Sequence, residues 1–252
     1  MDRVLVTVLA VVGSAGLAMA GTPLGGGVDG FVPPDKIVLS CAKTAAAAGG
    51  KAYLSIDKCH LNLTNDRFKG SNGTDEGCET STKAKLRATL NQLFQKGECP
   101  ACIEANTATL DDDIEAELDS ENGEIYCAGS DPLGDDDTGL VPPDVNSLKC
   151  ELVVHKNLTK LRKCARKCVE KLAGIGFKGA PFDVAACQTT DPLRSCLAKY
   201  NKTRDRYLFL CPPCLDQAAQ DALAAEVIAE TNGGADRYYC ASPSGAFLDV
   251  GN

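Results

Sequence analysis

The chain has no tryptophan, two methionines, two histidines and only 5% aromatic residues among 252. The missing tryptophan removes the broadest flat surface on which a sugar ring or a base could stack. No HExxH, P-loop or serine elbow occurs beyond residue 20, so none of the common hydrolytic or nucleotide-binding signatures is present. Acidic side chains outnumber basic ones, 34 to 26, and the resulting formal net charge of −8 argues against nucleic acid as a partner. Beyond residue 20 no apolar run approaches membrane-spanning length.

Residues 1–20, MDRVLVTVLAVVGSAGLAMA, combine a short charged start, an apolar run and a small-x-small ending. This pattern predicts a secretory signal peptide cleaved after Ala20, and therefore a secreted, periplasmic or extracellular protein. Fourteen cysteines agree with export, since oxidising compartments let disulfides persist.

Shifting the chain against itself by 109 residues aligns Pro23-Leu24-Gly25 with Pro132-Leu133-Gly134, and Val32-Pro33-Pro34-Asp35 with Val141-Pro142-Pro143-Asp144. The same shift takes Cys41 to Cys150, Cys59 to Cys168 and Cys78 to Cys187. After an insertion of three, Cys99 and Cys102 meet Cys211 and Cys214, and after one residue more Tyr126-Cys127 meets Tyr239-Cys240. Two copies of a six-cysteine module follow, with Cys164 and Cys196 as an extra pair in the second. The expected organisation is a signal peptide at 1–20 and a linker at 21–35. Module 1 covers 36–129, a Pro/Gly/Asp linker 130–144, module 2 145–241, and a tail 242–252.

Within each module the apolar spacing is helical. From Cys150 the stripe runs Val154, Leu158, Leu161, Ala165, Cys168 and Leu172, one face of a helix that Asp144 would cap. Cys150 and Cys168 are five turns apart, about 27 Å, and so need partners on other elements. Second helices are expected over 83–96 and 193–210, and third helices from each CxxC to Asn122-Gly123 and Asn232-Gly233. Gly49-Gly50 should loosen or break the first helix of module 1. The fold class predicted is all-α: two tandem disulfide-stapled three-helix modules.

Antiparallel packing of the first two helices predicts Cys41 with Cys99, Cys59 with Cys78, Cys150 with Cys211, Cys168 with Cys187 and Cys164 with Cys196. The remainder gives Cys102 with Cys127 and Cys214 with Cys240. Exchanging the two cysteines of each CxxC is an almost equivalent scheme.

Cys99-Pro-Ala-Cys102 and Cys211-Pro-Pro-Cys214 stand at helix starts, as in thiol-disulfide oxidoreductases, but no strand–helix alternation for such a fold surrounds them. His60 and His155 have Val169 and Ala46 as repeat counterparts, so histidine carries nothing common to both modules. Gly174-Ile-Gly176-Phe-Lys-Gly179 follows a helix and reads as a stop. Asp135-Asp136-Asp137 lacks EF-hand spacing and reads as a solvated charge run. No catalytic, cofactor or metal residue is expected.

Residues 22–130 hold 10 basic against 17 acidic side chains, and residues 144–178 hold 9 against 3. Either the acidic and basic faces dock on one another, or the basic helix 149–171 meets an anionic surface or polysaccharide. Asn62, Asn72, Asn157 and Asn201 begin N-x-Thr sequons. The function expected is that of a non-enzymatic binding or structural protein; the alternative is a thiol-disulfide oxidoreductase or redox-responsive protein using the CxxC pairs.

Overall fold

The computed structural model describes residues 21–134 and 136–241. Residues 1–20, where a signal peptide was expected, Asp135 and residues 242–252 lie outside the described residues. The described chain is mostly helical, with seven disulfides and, among these residues, no free cysteine.

Two small antiparallel hairpins correct the all-α expectation. One pairs β1 (Pro23–Gly25) with β2 (Val28–Phe31); the other pairs β3 (Pro132–Gly134) with β4 (Asp137–Leu140). Gly25, Gly26 and Gly27 have φ of 78°, 66° and 76°, the left-handed geometry that lets so short a segment reverse.

Each hairpin leads into a long helix, α1 (Lys36–Phe68) or α5 (Val145–Gly176). Asp35 accepts from the amides of Ile37 and Val38 at 2.8 and 2.9 Å; Asp144 does so from Asn146 and Ser147 at 2.7 and 3.0 Å. These are side-chain caps that satisfy amides left free by the first turn. Antiparallel to α1 runs α2 (Glu76–Phe94), followed by α3 (Ala101–Asn106) and α4 (Leu110–Ile125). After α5 come α6 (Cys196–Tyr207) and α7 (Gln217–Gly233).

Three expectations are corrected. α1 is continuous through Gly49-Gly50, because these glycines serve packing: a Cβ on Gly49 would lie 2.2 Å from the Tyr238 hydroxyl, and one on Gly50 0.6 Å from Arg166 Nη1. The third helix of the first half is split at Thr107–Thr109 into α3 and α4. Gly123 does not stop α4, since its amide donates to Thr138 Oγ1 at 2.9 Å and the hairpin leaves no room for a side chain there.

Disulfides join Cys41 to Cys99, Cys59 to Cys78, Cys150 to Cys211, Cys168 to Cys187 and Cys164 to Cys196. The expected Cys102–Cys127 and Cys214–Cys240 bridges are replaced by Cys102–Cys240 and Cys127–Cys214, each of which crosses between halves. The hairpins explain why. The amide of Leu140 donates to Tyr126 O at 2.7 Å, and that of Phe31 donates to Tyr239 O at 2.6 Å. Each hairpin thus closes on the end of the half that it does not lead into, and brings that end beside the other half's CxxC.

One core results. Ile56, Ile103, Leu110, Ile114 and Tyr126 share it with Leu158, Leu161, Leu215 and Tyr239. Among the described residues no helix is long and apolar enough to cross a membrane.

Candidate functional site

A seam of buried polar groups runs through this core between α1, α4 and α5. At one end Tyr53 on α1 donates to Glu117 Oε2 at 2.6 Å, and the guanidinium of Arg162 on α5 lies 5.1 Å from the Tyr53 ring centroid. Arg162 is 8% exposed and bonds Glu121 on α4, with Glu230 on α7 at 3.4 Å and Glu117 at 3.6 Å. Burial pushes Glu121 up to about 8 and Glu230 to about 7, against the opposing charge of Arg162.

Tyr53, Glu117, Arg162 and Glu230 border a cavity of about 320 Å³. Its apolar lining comes from Leu54, Leu110 and the rings of Tyr53 and Tyr238; Lys163, Arg166 and Arg237 add positive charge. Arg166 donates to Ala46 O at 3.3 Å and pairs with Glu170 at 3.4 Å, while Arg237 meets Asp113 at 2.8 Å.

In the middle of the seam His155 Nδ1 meets the Tyr126 hydroxyl at 2.8 Å, and Nε2 meets Asp57 Oδ1 at 3.1 Å. Burial opposes the Asp57 carboxylate, but the hydrogen bond and charge of His155, with the charge of Arg162, hold its pKa below the ordinary range.

The far end is His60, whose ring lies 6.4 Å from that of His155. Four carboxylates approach its Nε2: Glu79 at 2.6 Å, Asp119 at 3.2 Å, Asp137 at 3.6 Å and Asp75 at 3.7 Å. They come from α2, α4, β4 and the start of α2, and all five residues are buried. Asn122 donates to Asp137, and among the described residues no lysine or arginine pairs with any of the four. Burial works against an imidazolium at His60, but hydrogen bonds to Asp119 and Glu79 and the surrounding negative charge outweigh it and raise its pKa to about 10. Burial raises Asp75, Glu79 and Asp137, the last to about 8.

Sequence reasoning missed this end entirely. Asp137 belongs to the run read as solvated, yet it is 8% exposed and turned inward. The available signal was that Asp137 is two residues before Gly139, in a segment repeated from Asp29-Gly30, so it belongs to an ordered hairpin and not a free linker.

The cysteines named as structural are all bridged. Neither CxxC closes on itself: Cys99 and Cys102 bond Cys41 and Cys240, while Cys211 and Cys214 bond Cys150 and Cys127. The basic helix divides by face. Arg162 turns inward onto the acidic α4, whereas Lys156, Lys160, Lys163, Lys167 and Lys171 stay exposed, four of them along an open groove of about 670 Å³. Of the sequons, Asn62 and Asn72 are exposed and Asn201 is half-buried. Asn157 is 5% exposed and its amide donates to Tyr200 O at 2.9 Å.

Compared with known proteins, the chain matches no family model, no curated protein and no solved structure.

Proposed function

We propose that the protein is an exported, non-enzymatic binding protein made of two diverged copies of one hairpin-and-helix module, with a small organic anion as the ligand of the cavity beside Arg162. The cavity is the observation that carries this reading. Its about 320 Å³ suits a small molecule, its lining offers both apolar area and ring faces, and Lys163, Arg166 and Arg237 supply the charge for a carboxylate, phosphate or sulfonate.

Seven bridges fit an oxidising, non-cytoplasmic compartment and hold the cavity walls at fixed separation. All four CxxC sulfurs are bonded outside their own motif, which supports staples over thiol-disulfide chemistry. The ledge of Glu117 and Glu230 beside the cationic groups favours ligands that also carry a hydrogen-bond donor.

The test is titration with 1-anilinonaphthalene-8-sulfonate, an aromatic body bearing one anionic group, with near-UV circular dichroism to establish native packing. Saturable binding to one site is expected, weakened at least about tenfold, or 1.4 kcal/mol, by Leu54→Trp at the cavity wall. Fluorescence that never saturates, or is indifferent to Leu54→Trp, would sink the reading.

A further inference from the structure

We propose that His60, Glu79, Asp119, Asp75 and Asp137 form a binding site for one divalent transition-metal ion of the manganese or iron(II) class. The proposal is independent of the cavity ligand.

The geometry is that of two donor triads sharing His60 Nε2, one with Glu79 and Asp119 and one with Asp75 and Asp137. Four carboxylates approach one nitrogen, His60 Nε2, between 2.6 and 3.7 Å, and none approaches Nδ1. A single N–H can lie along one such line only, so imidazolium alone leaves the other three carboxylates unserved. A cation beside that nitrogen can serve the donors of either triad, His60 with Glu79 and Asp119 or His60 with Asp75 and Asp137, since the ligand atoms of each lie within 4.8 Å of one another and ligands held at about 2.1–2.2 Å stand roughly 3–3.5 Å apart.

Unpartnered oxygens point the same way. Asp75 is 5% exposed, and its carboxylate oxygens make no well-formed hydrogen bond, their contacts being the Asp137 carboxyl and Asp75's own amide. It occupies the position before α2 where an aspartate ordinarily caps, as Asp35 and Asp144 do, yet its side chain forgoes the cap and turns inward. Asp137 Oδ2 is likewise buried and without a well-formed hydrogen bond. Each such atom is costly to bury unless something absent from the protein's own donors meets it.

The second half supplies an internal control. The repeat shifts match His60 with Val169, Asp75 with Val184, Glu79 with Gln188, Asp137 with Val28 and Asp119 with Asn232. All five change together, and every replacement is neutral. Gln188 and Asn232 bond each other through both amides, at 2.7 and 3.1 Å, and the three valines are buried. The same scaffold therefore packs this place with no charge at all, so the charged version is not a requirement of folding.

The donor set fixes the class of ion. One imidazole with carboxylates suits manganese, iron(II) or zinc over the all-oxygen shell that calcium prefers, and the sulfurs nearby are spent in disulfides. Asp75 also lines a small surface pocket with Asp66, Gly73 and Thr74.

The experiment takes the disulfide-intact chain, strips it by dialysis against a chelator, and titrates Mn²⁺ with detection by electron paramagnetic resonance and elemental analysis. One bound Mn²⁺ per chain is expected, with a matching rise in melting temperature. In Glu79→Gln/Asp119→Asn, which copies the residues of the second half, and in Asp75→Asn, which keeps the size of the side chain beside Asp137, affinity is expected to fall beyond the ~10–100-fold that loss of an outer-shell partner costs. Displacement of Mn²⁺ by Zn²⁺ at the same stoichiometry supports the site. Tighter binding of Ca²⁺ than of Mn²⁺ overturns the transition-metal assignment. No bound Mn²⁺ or Zn²⁺ at about 100 µM free ion, or binding unchanged in folded Asp75→Asn, overturns the site itself.

Discussion

Cys102 and Cys240 are separated by 138 residues in the chain and by 6.1 Å between Cα atoms, joined in a disulfide that ties α3 to the segment after α7. Cys127–Cys214 does the reverse, across 87 residues. The two halves are therefore locked to each other at both ends. Non-reducing peptide mapping is expected to recover the pairs 102–240 and 127–214, and no 102–127 or 214–240 peptide. Removing one crossing bridge as Cys102→Ser/Cys240→Ser should cost about 2–5 kcal/mol in urea denaturation. A loss below about 0.5 kcal/mol would mean that the closure does not depend on the bridge.

The hairpin contacts predict a pair of glycine effects. Gly30 and Gly139 have φ of 101° and 108°, and a Cβ on either would lie 2.8 Å from a backbone oxygen, Tyr239 O or Asn122 O. Gly30→Ala and Gly139→Ala should each destabilise by about 1–3 kcal/mol. Gly77, helical with nothing within 4 Å of its added Cβ, is the control and should gain about 0.5–1 kcal/mol as alanine. Equal effects at all three positions would contradict the close approach.

Glu151 predicts a pH dependence. It is fully buried, takes one long hydrogen bond of 3.3 Å from the Ala128 amide, leaves Oε2 unpaired, and burial pushes its pKa from 4.5 up to about 8. In that window the native state keeps a proton that the unfolded chain has released, so its contribution is full below about pH 4.5 and is lost as pH rises through 8. Glu151→Gln should match the wild type near pH 4 and exceed it above pH 8 by on the order of 1–3 kcal/mol. Parallel stability curves for the two proteins across that range would refute the assignment.

The sequons separate by exposure. In a glycosylating host, glycopeptide mapping is expected to find sugar at Asn72, in the exposed loop before α2, and none at Asn157. Asn157→Gln should leave the glycoform mass unchanged while costing about 1 kcal/mol through the lost bond to Tyr200 O. Occupied Asn157 in folded protein would contradict its burial.

Local features were legible because they rest on short-range physics. The stripe Val154, Leu158, Leu161, Ala165 follows from helical period, and the caps at Asp35 and Asp144 from the amides that a first turn leaves free. The bridges within each half join cysteines on adjacent antiparallel elements, whose spacing follows from the rise per residue. Gly49-Gly50 was ambiguous from sequence alone, since the same pair weakens an isolated helix and permits the close approach of Arg166 and Tyr238.

The amino-acid sequence by itself determined the helical faces, the caps, the repeat spacing and an oxidising cysteine count. Only the tertiary structure decided that Cys102 reaches Cys240, that Asp137 leaves its linker for His60, and that Arg162 settles among Glu117, Glu121 and Glu230. The physical reason is the distance along the chain. A cap or stripe is set by neighbours within a turn or two, whereas these contacts form when each hairpin closes on the end of the opposite half, an event that leaves no periodicity in either partner.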